Sequence, residues 1–318
     1  MKHHPELALG IDCGGTNIKI ALVEKSGQIL HSTLEPIDFN KTHEQAIADI
    51  AQRVKKFLKN HKAARIKSLG MGIAGEVDSR KGIVRFSPNL HWRNVPLKEI
   101  LSEEIDLPIF IENDANCAAW GAYCLDAKKD CETLICLTLG TGVGGGIVLN
   151  RKLYRGSTGS AGEIGHMSIQ YDGRICKCGN YGCIESLVGA WGLIRNAEEG
   201  IQKGSAPILA EMLKKIGAEL TPKLLEDAAK KNDPFCKQLW LDSGERLGVA
   251  LANLVNIFNP ERIVLSGGVS KAGDLLLIPA LHTLGMRAFQ TPAQKVKVTL
   301  SKFDEKLGVA GAALLFWE

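Results

Sequence analysis

Leu7-Ala8-Leu9-Gly10-Ile11-Asp12-Cys13-Gly14-Gly15-Thr16-Asn17-Ile18-Lys19 decides how the N-terminal part of the chain folds. A short apolar run ends in an acid and two glycines, and a second apolar run follows at once. Leu7 to Ile11 and Ile18 to Val23 therefore read as strands. After the Ser26-Gly27 turn a third strand, Ile29 to Thr33, completes an antiparallel meander. Further out, Ile47, Ile50, Ala51, Val54, Phe57 and Leu58 recur at helical spacing between Thr42 and Asn60, giving a helix whose apolar stripe covers the sheet. Strands at Ser68 to Ile73 and Ile109 to Glu112 continue the alternation, so the first 115 residues read as an α/β lobe.

The plan returns in the second part of the chain. A strand from Thr133 to Leu139, a glycine loop, a strand from Gly145 to Leu149 and a helical region from Asp233 to Phe258 lead to a strand at Arg262 to Ser266. Gly267-Gly268, a helix and a strand from Lys295 to Leu300 follow. Gly308 to Phe316, rich in Ala and Leu, reads as a helix that returns to the first lobe. The expected division is residues 1–115 with 302–318 in a small lobe and 116–301 in a large one, in keeping with 318 residues being long for one domain.

Hydrophobic residues make up 45% of the chain and charged residues 23%, which is ordinary globular composition. The net charge of +4 is spread among interspersed acids and bases rather than gathered in blocks, which argues against nucleic acid as the main ligand. The opening Met1-Lys2-His3-His4-Pro5-Glu6 has neither the apolar core nor the cleavage site of a secretory signal, and no apolar run reaches the roughly 20 residues that span a bilayer, so a cytoplasmic protein without a membrane segment is expected. Of nine cysteines, Cys13, Cys117, Cys124, Cys131, Cys136 and Cys236 stand apart and read as reduced, mostly buried thiols.

Glycines at strand ends let backbone amides approach phosphate oxygens where a Cβ would intrude. Asp12 to Lys19 is one such loop and Leu139-Gly140-Thr141-Gly142-Val143-Gly144-Gly145-Gly146 is a second. Either alone is as well explained by a tight turn. One per lobe suggests a nucleotide gripped across a cleft, and Ser266-Gly267-Gly268-Val269 would admit a flat ring close to backbone. This set of loops resembles the ROK family of repressors and sugar kinases, a branch of the actin, hexokinase and heat-shock-chaperone superfamily, and the likeness covers essentially the whole chain. It implies a two-lobed, actin-like α/β fold. It implies further that Gly14, Gly15, Thr16, Gly140, Thr141 and Gly142 hold ATP phosphates, that Gly267 and Gly268 border the adenosine, and that Asp12 and Lys19 lie near the phosphates and a Mg²⁺ ion.

Ile109-Phe110-Ile111-Glu112-Asn113-Asp114-Ala115-Asn116 runs from an apolar strand into a helix, so Asp114 sits near a helix start. Asp114 is a good N-cap by residue type, as is Asn116. Phosphoryl transfer to an alcohol needs a carboxylate within reach of the attacking hydroxyl. The resemblance assigns that role to Asp114 and sugar binding to Asn113. Glu163 and His166, three residues apart in Gly159-Ser160-Ala161-Gly162-Glu163-Ile164-Gly165-His166, meet if that segment makes a helical turn. With Glu185, Gly75 and Asn89 they match the family's sugar-lining positions.

His166, Cys176, Cys178 and Cys183 lie within 18 residues, and four such donors in so short a span suit tetrahedral Zn²⁺. A disulfide and bystander thiols are the competing readings. A closed, structural zinc would order the glycine-rich loop and fix His166 and Glu185 at its two ends.

The stretch Ser87 to Leu97 together with Glu112 to Asn116 is most similar to the family's bacterial glucokinases, which implies glucose phosphorylated at O6. Kinases for N-acetylmannosamine, N-acetylglucosamine, fructose and allose share the same core, and some members use polyphosphate in place of ATP. The family's repressors place a winged helix before the sugar core. Only eleven residues precede Asp12, so an enzyme rather than a regulator is expected. Family members are commonly dimers or tetramers, which is the assembly the resemblance implies.

Overall fold

The computed structural model describes residues 6–38, 41–61, 65–217 and 219–318. In chain order, strands β1 (Leu7–Cys13), β2 (Asn17–Glu24) and β3 (Ile29–Pro36) lead into helix α1 (His43–Asn60). Strands β4 (Ile66–Ile73), β5 (Glu76–Asp78), β6 (Ile83–Ser87) and β7 (Trp92–Val95) lead into α2 (Leu97–Glu104), and β8 (Ile109–Asn113) runs directly into α3 (Asp114–Leu125). Next come β9 (Leu134–Leu139), β10 (Val143–Leu149), β11 (Lys152–Leu153), α4 (Ile184–Val188), α5 (Ala190–Gln202), α6 (Pro207–Ile216), α7 (Pro222–Lys230) and α8 (Pro234–Phe258). The series ends with β12 (Arg262–Ser266), α9 (Asp274–Arg287), α10 (Gln290–Lys295), β13 (Lys297–Leu300) and α11 (Leu307–Leu314).

Two compact units result. The first takes the residues up to Glu132, then Gly146–Gly162 and Phe303–Glu318. Its sheet has the order β3-β2-β1-β4-β8, antiparallel through β1, β2 and β3 and parallel through β1, β4 and β8. The expected meander is present with each strand extended by two or three residues. Helix α1 starts at Thr42, whose hydroxyl accepts from the Gln45 amide while the Gln45 side chain returns to the Thr42 N–H, a reciprocal cap that fixes where the helix begins. It buries Ile47, Ile50, Ala51, Val54 and Phe57 in the core, five of the six positions given by the helical spacing. The small sheet β5-β6-β7 was not read from sequence. Its strands are three to five residues long and alternate polar with apolar residues too briefly to register against the turns between them.

Helix α11 packs against β1, β4 and α3 of the same unit. The approach is backbone to backbone. A Cβ on Gly10 would lie 2.0 Å from the Val309 carbonyl, one on Gly70 1.8 Å from the Ala312 carbonyl, and one on Gly311 1.8 Å from the Cys117 carbonyl. Trp120 on α3 donates its indole N–H to the Leu314 carbonyl at 3.1 Å. These contacts move residues 116–132 out of the large lobe expected from sequence and into the first unit. Residues 146–162 also join it, because Arg155 reaches Glu112 and Glu318. Gly70→Ala is expected to lower the melting temperature by roughly 5 °C or more, since a methyl group cannot enter without moving helix backbone. Unchanged melting would contradict the packing.

The second unit comprises Thr133–Gly145 and Glu163–Lys302. In it β12 lies between β9 and β13 and pairs with both in parallel, so the parallel part of the first sheet, β1-β4-β8, has a counterpart. Helix α8 starts where expected, with the Asp233 carboxylate accepting from the Cys236 amide at 3.0 Å. Helices α5, α6 and α7 lie where no element was assigned. Pro207 and Pro222 each occupy the first helical turn of α6 and α7, where no N–H is required. Among the described residues no helix is long and apolar enough to cross a membrane.

Candidate functional site

In the first unit the strand ends gather the chemistry. Asp12 lies on β1 and Asp114 opens α3, and both are half-buried. Burial pushes the Asp114 carboxyl up from its ordinary value, against hydrogen bonds from backbone amides, including that of Ala115 at 2.9 Å. Asp12 is pushed up to about 6, first by burial and then by the charge of Asp114, with Lys19 opposing. Two carboxylates close enough to feel one another form an oxygen-rich site suited to a hard cation or to a proton in transit. Lys19 itself donates to the Glu305 carbonyl at 2.7 Å.

Neither Asp114 nor Asn116 caps α3. The cap is Asn113, whose side-chain oxygen accepts from the Asn116 amide at 3.0 Å, because the last residue of β8 keeps extended backbone while its side chain turns back to the first helical turn. Asp114, one residue on, is spared capping duty. The Asn113 amide donates to the Gly75 carbonyl at 3.0 Å, which brings Gly75, Asn113 and Asp114 together. Asn89 is exposed and lies beside Gly15, where a built Cβ would be 4.0 Å from the Asn89 Cβ.

The glycines separate into two kinds. Gly75 has φ of +125° and presses on Phe86 backbone, and Gly267 has φ of +93° and presses on Leu139 backbone, so the fold itself requires these two, while a Cβ on Gly142 would lie 2.2 Å from a Glu185 oxygen and displace that carboxylate. A Cβ at Gly14 would find its nearest neighbour 3.5 Å away, and at Gly140 and Gly268 there is nothing within 4 Å. With Gly15, these positions are open and carry no left-handed backbone, and the fold does not account for their being glycine. Bare backbone facing open space at strand ends is the form of a phosphate cradle. Thr16 and Thr141 are exposed beside these glycines.

In the second unit, Gly140 donates to the Gly142 carbonyl at 2.9 Å to close the turn between β9 and β10, and the Ala190 amide at the start of α5 donates to the Gly140 carbonyl at 3.0 Å. Glu163 and His166 sit on one 3₁₀ turn, with the His166 amide donating to the Glu163 carbonyl at 3.1 Å. His166, Cys176, Cys178 and Cys183 place one donor atom each within 4.8 Å of all the others. The Cys178 and Cys183 sulfurs are 3.7 Å apart and the Cys176 sulfur is 3.9 Å from His166 Nδ1. Sulfurs bound tetrahedrally to zinc at about 2.3 Å stand roughly 3.8 Å apart, so this donor set fits Zn²⁺. The nine cysteines carry no disulfide. Glu185 bridges two features: one oxygen accepts from the Val143 amide at 3.0 Å, beside the glycine turn, and the other faces the Cys176 sulfur at 3.8 Å.

Sequence reasoning missed Glu112 and Arg155. Glu112 is 1% exposed, and the Arg155 Nε lies 2.6 Å from its carboxylate. A charged residue inside the apolar strand of residues 109–112 was the available signal, whereas Arg155 carries none in its own neighbourhood.

Because the folded chain holds the Asp12 proton to higher pH than the unfolded chain, it binds more protons between 3.8 and about 6, and stability falls as pH rises through that window. Asp12→Asn is therefore expected to be more stable than the parent at pH 7 by on the order of 2 kcal/mol, with the difference vanishing toward pH 4. Urea midpoints at the two pH values measure this, and parallel pH dependences would contradict it.

The ROK family model matches residues 8–318. The chain is 36% identical over 310 residues to a glucokinase from Halalkalibacterium halodurans, covering 96% of this chain and 94% of that one. It is 31% identical over 307 residues to a xylose repressor from Caldicellulosiruptor bescii, covering 95% of this chain and 76% of the repressor. A ROK family glucokinase from Streptomyces griseus, solved in complex with glucose and AMPPNP, has a TM-score of 0.81 and 32% identity, covering 96% of this chain and 98% of that one.

Proposed function

The chain belongs to the ROK family and has an actin-like α/β fold, and on that premise we propose that it is a kinase transferring the γ-phosphoryl group of ATP to O6 of glucose, with Asp114 as general base. The observation that carries this reading is the Asp114 carboxylate, free of capping duty, beside Asp12 at the start of α3.

In this reading the open glycines Gly14, Gly15, Gly140 and Gly268 receive the nucleotide, with Thr16, Thr141, Gly142, Lys19 and Gly267 around it. Asp12 would help hold a Mg²⁺ ion, which when bound would neutralise the charge that spreads over the transferring group. Asn113, Glu163, His166 and Glu185, with Gly75 and Asn89, bind the hydroxyls of the sugar in place of water. The imidazole uses Nδ1 toward Cys176 and keeps Nε2 for a hydroxyl. His166, Cys176, Cys178 and Cys183 would hold a zinc ion, which would order the segment that carries Glu163, His166 and Glu185. The Asp114 carboxylate orients the attacking hydroxyl and takes its proton as the new bond to phosphorus forms. Its elevated pKa makes it a stronger base than an ordinary carboxylate.

A regulator without activity, of the kind suggested by the xylose repressor, is the second reading. The Asp12 and Asp114 pair favours the enzyme, since two mutually repelling, half-buried carboxylates cost stability that sugar sensing alone does not call for. The reading is tested by ADP release across glucose, mannose, fructose, N-acetylglucosamine and N-acetylmannosamine, with polyphosphate as an alternative donor. Glucose is expected to give the highest kcat/KM, by about tenfold or more over the N-acetyl sugars. A higher value for an N-acetylhexosamine would replace glucose as the substrate.

A further inference from the structure

We propose that Glu112 is a positioning residue for phosphoryl transfer, clamping the turn that carries Asp114 and itself held by Arg155 and Glu318. The inference rests on the reading of Asp114 as base. One oxygen of Glu112, Oε1, accepts from the Asn113 amide at 2.9 Å and from the Asn116 side-chain nitrogen at 3.0 Å. It therefore ties together residues on either side of Asp114. The other oxygen accepts from Arg155 Nε at 2.6 Å. Arg155 spends its two remaining nitrogens on Glu318, one at 2.8 Å to Oε1 and the other on Oε2. Glu112 is 1% exposed, Arg155 26% and Glu318 16%, so the chain of contacts runs from surface to interior.

The chemistry explains why a carboxylate stands there. Asn113 N–H, Asn116 Nδ2–H and Arg155 Nε–H are three donors converging on one buried group, and only an ionised carboxylate accepts from all three. An apolar or protonated group leaves donors unsatisfied next to the helix start. Arg155 in turn removes the penalty of a lone buried charge. The turn is further pinned by the Asn113 bonds to Gly75 and Asn116. Glu112 touches no reacting atom, and its effect is on where the Asp114 oxygens stand.

The test uses the full chain, with kcat for hexose phosphorylation, KM for ATP and the melting temperature read for each variant. Glu112→Gln keeps size and removes a charge, but its amide must point N–H groups either at Arg155 or at the two asparagine donors. It is expected to lose about 30-fold in kcat with the KM for ATP changed by less than about threefold, as for a base displaced by a fraction of an ångström. Adding Arg155→Met removes the conflict: the Gln oxygen then accepts from both asparagines, and the double variant is expected to recover to within about fivefold of the parent kcat. A purely structural role would move melting without this non-additive recovery. Asp114→Asn is measured alongside. Full turnover in Asp114→Asn overturns the base reading. A silent Asp114→Asn with Glu112→Gln within about threefold of the parent, or with a double variant no better than the single, overturns the positioning role alone.

Discussion

Asp114→Asn is expected to lower kcat by about 10³-fold or more while the affinity for hexose changes by less than about threefold. The substitution is nearly isosteric. Its side-chain oxygen can still accept from the Ala115 amide at the start of α3, and Asn113 remains the cap, so the turn is preserved. What disappears is the ability to take a proton. Removing the charge also relieves Asp12, whose carboxyl is held up at about 6 partly by Asp114. The loss of turnover therefore cannot come from a less ionised Asp12. Steady-state kinetics with calorimetric titration of the hexose separates the two effects. A variant that keeps most of its kcat would remove Asp114 as the base.

Loss of the metal site is expected to have the largest effect on stability. Metal-replete protein should carry one zinc per chain, and Cys183→Ser should carry less than a tenth of that, melt at least about 10 °C lower and bind hexose more weakly. Cys183 is fully buried, and its sulfur lies 3.7 Å from that of Cys178 and 3.4 Å from the His166 carbonyl. Structural zinc in small finger peptides contributes on the order of 10 kcal/mol, and the loop from Ser168 to Cys183 is otherwise tied by two isolated bridges, a few backbone hydrogen bonds and the Arg174–Glu199 pair, with no helix or extended strand of its own. The bridging position of Glu185 extends the effect. Without the cluster, the carboxylate that fixes the Val143 amide loses the surroundings of its second oxygen, so the glycine turn loosens with it. Elemental analysis and calorimetry in the presence and absence of a chelator measure this. Zinc-free protein that melts unchanged would show the four residues to be bystanders.

Much of this arrangement is written locally. The meander, α1 with its Thr42 cap, the start of α8 at Asp233 and the four metal donors each rest on residues close in sequence, where period and spacing suffice. What sequence could not supply is set by distant partners. At Gly142, besides the phosphate role expected of it, a Cβ would push against the carboxylate of Glu185, 43 residues later, a contact no local sequence announces. Asn113 was read as a sugar ligand, and its role as the helix cap is decided by backbone geometry at the end of β8. Arg155 meets Glu112 across 43 residues, and neither flanking sequence announces the pair. The boundary between the units moved for the same reason: α3 follows α11, nearly 200 residues away, through glycine contacts that composition alone does not reveal.

The central claim, hexose phosphorylation, is tested most directly by mixing the purified chain with ATP, Mg²⁺ and glucose and following phosphorus by NMR. Growth of a phosphomonoester signal on glucose O6 in step with ADP, lost in Asp114→Asn, is the expected result. ATP left intact, with each sugar of the panel supplied in turn, would contradict the claim and return the chain to the sugar-sensing side of its family.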